Sequence, residues 1–283
     1  MPTPRSKRAK LNAKEARIES TTRISPHLIR LRCHSDALIG AELPHTDHYI
    51  KLLFLPPEAD YSWPFDLTQI RAEKPREMWP VTRTYTLRTI DPETGKMDID
   101  FVLHGDHGLA APWAAQASPG DVFAYLGPGG AWHPDQSYQH SVFIGDETSA
   151  PAIAHALEKL PPGMTSQVLI EVADQNAEFQ LCDVEGVEVQ WVHRHGAVAG
   201  TELSKAVRQL VVPDIRTTWF VHGVAEMIRE VRRYLFVERE LARDDVSISG
   251  YWRLGMTEDQ WQSSKREFNA ENEAEEERLR HER

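Results

Sequence analysis

The feature that most constrains how this chain folds is a change of rhythm at Gly127-Pro128-Gly129-Gly130. Ahead of it, short apolar stretches broken by Pro, Gly and Asp predict strands at residues 16–20, 28–33, 49–55, 82–89, 96–104 and 122–126. Short strands spaced by turn residues point to an antiparallel barrel or sandwich. Beyond it the pattern alternates: strand 141–144, helix 150–159, strands 167–172 and 187–192, helix 201–209, strand 217–221, helix 225–240 and strand 246–249. Strands alternating with helices imply a parallel sheet covered on both faces, as in an α/β nucleotide-binding domain. Two domains therefore account for the 283 residues, each long enough to bury a core. The expected layout is a flexible basic arm over 1–14, a β domain over 15–130, an α/β domain over 138–260 and a charged, solvated helical tail over 261–283.

Composition narrows the chemistry. A net charge of -11 argues against nucleic-acid or anionic-membrane partners, because phosphate surfaces need a basic face. An anionic ligand must then meet a local basic pocket. No stretch approaches the roughly 20 apolar residues of a membrane span, and Met1 to Lys10 lacks the apolar core of a signal peptide. A soluble, cytoplasmic protein without membrane insertion is expected. The two cysteines, Cys33 and Cys182, sit in apolar contexts and read as buried free thiols. The 13 histidines include no His-Glu-x-x-His and no cluster with a carboxylate, so no metal site is expected; His193 and His195 alone do not make one. No Gly-x-Ser-x-Gly elbow or Gly-x-x-x-x-Gly-Lys-Ser/Thr loop is present, which leaves redox chemistry with borrowed cofactors.

Arg83-Thr84-Tyr85-Thr86-Leu87-Arg88 is the segment where such chemistry can be seated. On a strand, Arg83 and Tyr85 project to one face, while Thr84, Thr86 and Arg88 project to the other. A cation and an aromatic ring side by side suit a ligand with a diphosphate at one end and a flat ring at the other. An ordinary strand reads equally well from these six residues alone. The turn Asp91-Pro92-Glu93-Thr94-Gly95 pairs this strand with Asp100-Phe101-Val102-Leu103-His104-Gly105, and a short helix entered through Gly108 follows. In the second half, Gly145-Asp146-Glu147-Thr148-Ser149-Ala150-Pro151 joins the first strand to the first helix, where such sheets bind ligands. His222-Gly223-Val224-Ala225 and Ser249-Gly250-Tyr251-Trp252-Arg253 end other strands of the same sheet, so these turns outline one cleft.

Taken in order and spacing, these segments resemble the siderophore-interacting proteins, FAD-dependent ferric-siderophore reductases of the ferredoxin-reductase superfamily. The resemblance runs from about Ala16 to Gly255. It implies a ferredoxin-reductase-like fold, with an antiparallel Greek-key β-barrel for FAD followed by a parallel-sheet α/β domain for NADPH or NADH. It further implies Arg83 on the FAD diphosphate, Tyr85 on the isoalloxazine and Thr86 near flavin N5, with His104, Gly108, Ala110, Ala111 and Trp113 lining the rest. Gly145, Asp146, Glu147, Thr148, Ala150 and Pro151 would shape the dinucleotide site, with Tyr251 and Trp252 near the flavin. The sequence departs from the family's pattern at Leu109, Ala111 and the His222-Gly223-Val224-Ala225 turn.

A nicotinamide gives up two electrons as hydride whereas Fe(III) accepts one, so a flavin is the natural converter and no catalytic acid, base or nucleophile is required. A basic rim of Lys51, Arg88 and Arg253 would attract an anionic ferric siderophore. Asp174 would favour NADH by accepting from a ribose 2′-hydroxyl, while Arg194 would favour NADPH by pairing with a 2′-phosphate; the expected balance leans to NADPH. A ferredoxin is an alternative donor, and a monomer is the expected state. A general NAD(P)H:flavin diaphorase and a non-catalytic siderophore-binding protein are the competing readings.

Overall fold

The computed structural model describes residues 12–103 and 108–282, so most of the expected basic arm and the expected flavin residue His104 lie outside the described residues. Among the described residues, β1 (Lys14–Ser25), β2 (Leu28–His34), β3 (Tyr49–Phe54), β4 (Val81–Asp91), β5 (Lys96–Val102) and β6 (Val122–Gly129) close into a barrel in the order β1-β2-β5-β4-β3-β6. All of its pairings are antiparallel. The strands are two-sided. Ile18, Leu31, Ile50, Leu52, Leu87, Ile99 and Tyr125 fill the interior, while residues between them turn outward. Where outward charges fall on paired strands they match: Arg30 faces Asp100 and Arg32 faces Asp98, each as a two-pronged ion pair. A helix that the sequence reading did not expect, α1 (Leu67–Glu73), lies between β3 and β4. The Asp66 carboxylate caps it by accepting from the Thr68 N–H, and Leu67 and Ile70 are buried. The short helix α2 (Ala110–Gln116) packs Ala110 and Ala114 against the barrel core.

The second domain is a parallel sheet of β7 (His140–Asp146), β8 (Thr165–Val172), β9 (Val187–His193), β10 (Thr217–Val224) and β11 (Val246–Trp252), in the order β11-β10-β7-β8-β9. The chain runs outward from β7 through β8 to β9, then returns to β10 on the other side. The switch in strand order therefore falls between β7 and β10. Alternate residues of β7 feed two cores. Val142 and Ile144 join α4 (Thr201–Gln209) and α5 (Ala225–Arg233) on one face, and Phe143 joins α3 (Ala150–Leu157) on the other. A π-helical turn, Tyr234–Glu238, continues α5.

The expected solvated tail requires correction. The helix α6 (Glu258–His281) starts at a capping box of Thr257 and Gln260 and docks along the α/β domain. Trp261, Phe268, Asn272 and Glu276 are buried in it. Glu276, with 3% of its side chain exposed, accepts from Arg232 at 2.6 Å and Arg243 at 2.7 Å. A pattern that is charged throughout in sequence thus hides one buried stripe.

The two domains are tied at more than one place. The Asp47 carboxylate accepts from the backbone N–H groups of Ala131 and Trp132, and the Trp132 ring lies on Phe220 with centroids 4.8 Å apart. Arg88 of β4 forks onto Glu158 just beyond α3. The C-terminal end of α3 is thereby held against β4.

Candidate functional site

Alternation along β4 holds as expected from the sequence. Arg83 and Tyr85 stand opposite Leu52 and Ile50 of β3, while Thr84 and Thr86 stand opposite Lys51 and Tyr49. Phe101 backs the Tyr85 ring at 4.2 Å between centroids and meets Trp113 at 5.7 Å, so one aromatic chain joins the hexapeptide to α2. Burial pushes the Tyr85 phenol well up, so its hydroxyl stays protonated. Trp113 is also packed by Phe54 and Phe123, Ala110 and Ala111 are buried, and Gly108 takes a positive φ of 91° with open space beside it. Of the expected flavin residues, Tyr85 and Trp113 are thus joined through Phe101, and Trp113, Ala110 and Ala111 chiefly close the barrel.

Residues from α6 complete this end of the barrel, and sequence reasoning did not find them. Asp259 pairs with Arg83 at 3.0 Å, and Glu258 accepts from the Thr84 backbone N–H at 2.9 Å. Burial pushes the Glu258 carboxyl up. Lys265 stands near enough to Lys51 that, beyond the effect of its own burial, the second ammonium lowers its pKa further. Only the docking of α6 sets these groups beside β4.

The residues present fit a flavin. The Thr84 hydroxyl is buried beside the Glu258 carboxylate, so this face of β4 is occupied by α6. Arg83 is a cation whose side chain is 16% exposed, while its partner Asp259 is 62% exposed, so it is the carboxylate that can swing away and leave the guanidinium to a diphosphate. Tyr251 lies against Thr86 and carries the α/β domain's edge to the flavin strand; burial holds its phenol protonated.

On that edge Asp146 is the organising group. One carboxylate oxygen accepts from the Thr148 N–H and hydroxyl, and the other accepts from the Val224 N–H at 2.9 Å and Trp252 Nε1 at 2.8 Å. The three strand-end turns are thus tied by a side chain 1% exposed. Asp146, expected at the nucleotide site, and Trp252, expected near the flavin, are bonded to each other. Gly145 and Gly223 are required here: a side chain at Gly145 would collide with Ser149, and one at Gly223 would meet the Asp146 carboxylate at 2.8 Å from a φ of 151°. Ala150 and Pro151 are buried in α3, and Thr148 is half-buried. His222, whose turn drew attention without a role, stacks on Phe220 at 3.9 Å and touches Tyr251 edge-on at 5.0 Å. Its Nε2 meets the Ser247 hydroxyl, its Nδ1 has no partner, and burial pushes its pKa down to about 3.

Among the expected chelate-binding cations, the structure separates three cases. Arg88 is corrected: its side chain is 9% exposed and locked between Glu158 and the Leu181 carbonyl at the domain junction, so it cannot meet a substrate. Arg253 lies 3.6 Å from Glu226 and over the Phe268 ring, with 27% of its side chain exposed. Lys51 remains, half-buried on β3, with no ion pair among the described residues. Arg194 is held by Glu147 and Glu171, and Asp174 caps a turn at the end of β8. His193 pairs with Glu178, and no cluster able to hold a metal ion occurs among the described residues. The buried Cys33 thiol is pushed up to about 12, which leaves it unreactive, and Cys182 is half-buried. No helix among the described residues is long and apolar enough to cross a membrane.

Two family profiles match successive parts of the chain: a siderophore-interacting FAD-binding domain over residues 17–132 and a siderophore-interacting protein domain over residues 138–255. Ferric vibriobactin reductase of Vibrio cholerae is 29% identical over 242 residues, covering 83% of this chain and 88% of that protein. The NADPH-dependent ferric-chelate reductase of Escherichia coli is 26% identical over 252 residues, covering 88% and 96%. The crystal structure of a siderophore utilization protein from T. fusca superposes with a TM-score of 0.75 at 33% identity, covering 88% of this chain and 96% of that one.

Proposed function

The chain belongs to the siderophore-interacting protein family, and from that premise we propose that it is an FAD-dependent ferric-siderophore reductase driven by NAD(P)H. The observation that carries this reading is the meeting of Tyr251 with Thr86. It sets the ligand-binding edge of the parallel sheet against the β4 hexapeptide, so a nucleotide on one and a flavin on the other share one cleft. Bound FAD supplies the redox chemistry, accepting a hydride and giving electrons up singly. Arg83 would hold the diphosphate, Tyr85 would support the ring with Phe101 behind it, and Thr86 would meet the flavin edge. Asp146, by fixing the turns after β7, β10 and β11, keeps the nucleotide site in register with the flavin strand. Lys51 and Lys265 place positive charge at the cleft in a protein of net charge -11, which favours an anionic ferric chelate there over the rest of the surface. The acceptor is Fe(III) in its chelate; on reduction, hard oxygen ligands release it as Fe(II).

A visible spectrum of the purified protein tests the first step. A flavin band is expected as isolated or after reconstitution with FAD, and a chain that stays colourless with FAD would remove the basis of the proposal. NADH, NADPH and a reduced ferredoxin belong in one donor panel. Quinones and free flavins beside ferric siderophores separate this reading from a general diaphorase. We take the enzyme to be a cytoplasmic monomer, which sedimentation and cell fractionation would check.

A further inference from the structure

Resting on the reading of a nicotinamide nucleotide as donor, we propose that Asp174 and Glu147 make this site selective for NADH over NADPH. In an open parallel sheet the dinucleotide lies across the carboxyl ends at the switch point, with its adenosine ribose at the end of the next strand. The switch falls between β7 and β10, and β8 is the other neighbour of β7, so the ribose falls where β8 ends. Asp174 follows β8 there. Its Oδ1 accepts from the Asn176 N–H at 2.8 Å, which orients the carboxylate on the turn. An oriented carboxylate accepts from a 2′-hydroxyl and repels a 2′-phosphate.

The cation that a 2′-phosphate needs is already engaged. Arg194 leaves β9 beside the end of β8, donating its backbone N–H to the Val172 carbonyl. Its guanidinium forks onto Glu147 at 2.8 and 3.0 Å and lies 3.5 Å from Glu171. The Glu147 side chain is 7% exposed, so drawing Arg194 toward a phosphate strands a buried carboxylate. Glu171 is fixed by accepting from the Gly200 and Leu203 N–H groups at the start of α4. The next basic group along this edge, His193, pairs with Glu178 at 2.7 Å, and exposed His195 stands beside it. Glu147 and Glu171 hold the one guanidinium, Glu178 holds His193, and Asp174 sits on the turn after β8, so this edge opposes further negative charge. This sets the chain apart from its NADPH-dependent Escherichia coli relative, and it reverses the preference expected from Arg194 in sequence.

Isothermal titration of the full-length protein with ADP-ribose and with 2′-phospho-ADP-ribose tests the selectivity without electron transfer. ADP-ribose is expected to bind at least about tenfold more tightly. Glu147→Gln should narrow that ratio by releasing Arg194, and Asp174→Asn should weaken ADP-ribose alone. Equal or tighter binding of the 2′-phosphorylated ligand, binding of neither, or a selective loss of that ligand on Arg194→Gln would overturn the proposal. Stopped-flow mixing distinguishes the two levels: bleaching by NADPH in preference to NADH sinks the selectivity and leaves the donor reading intact, whereas bleaching by neither sinks the donor reading.

Discussion

The two edges that face each other across the cleft treat their charges in opposite ways. At the flavin strand, Arg83 is held by an Asp259 whose side chain is 62% exposed, and Lys51 and Lys265 stand near each other. On the α/β edge, Asp146 is 1% exposed with every carboxylate lone-pair direction directed at a donor, and Glu171 is fully buried. An exposed pair in high dielectric is worth little and exchanges easily, whereas a buried group left without a partner costs several kcal/mol. The contrast separates residues that can turn to a ligand from residues that hold the ligand's surroundings in place.

The largest effect should come from the buried side. Asp146→Ala leaves the Val224 N–H, the Trp252 indole and the Thr148 N–H without their acceptor, and about 3–5 kcal/mol of stability should be lost. Urea unfolding followed by circular dichroism would show it, and an unchanged midpoint would break the comparison. Arg83→Ala should do the reverse. FAD affinity should fall roughly tenfold or more, because a charge-assisted contact is removed, while the flavin-free protein should lose less stability than Asp146→Ala does. Flavin retention on gel filtration and thermal melts read the two quantities separately.

A pH titration sharpens the same contrast. Burial pushes the His222 imidazole from 6.5 down to about 3, so the folded protein keeps it neutral. Below about 6.5 the unfolded chain takes up a proton there that the folded chain refuses. The stability linked to this group is therefore fully present above that pH and is lost progressively as the pH falls toward 3. His222→Phe should flatten the decline in melting temperature over that window, and an unaltered slope would contradict the assignment. The smallest effect is expected from Asp259→Ala. It removes a competitor for Arg83 and should tighten FAD binding by a few-fold at most, which corresponds to under about 1 kcal/mol.

Much of this was legible in the chain itself, because alternation and turn chemistry are local. The side-by-side placement of Arg83 and Tyr85, the hairpin to Phe101, and α4 with its bounds at Thr201 and Gln209 follow from period and punctuation alone. The family's FAD and nucleotide segments were legible from a resemblance in their order and spacing. What escaped depends on partners distant in sequence. Arg88 looked like a free rim cation because Glu158, its partner, belongs to the other domain. Glu276 looked solvated because nothing local reveals Arg232 and Arg243 beside it. Arg194 offered itself to a phosphate until Glu147 and Glu171 were seen to hold it. Asp259 and Lys265 were invisible for the same reason, since Asp259 reaches Arg83 and Lys265 comes near Lys51 of β3 only when α6 docks.

Anaerobic stopped-flow absorbance of the FAD-loaded protein tests the central claim most directly. Mixing with NAD(P)H should bleach the flavin band, and a second mix with a ferric siderophore should restore it, with about two equivalents of Fe(III) consumed per flavin because each accepts one electron. A reduced flavin that ferric siderophores leave bleached, while quinones or free flavins reoxidise it, would contradict the assignment as a ferric-siderophore reductase.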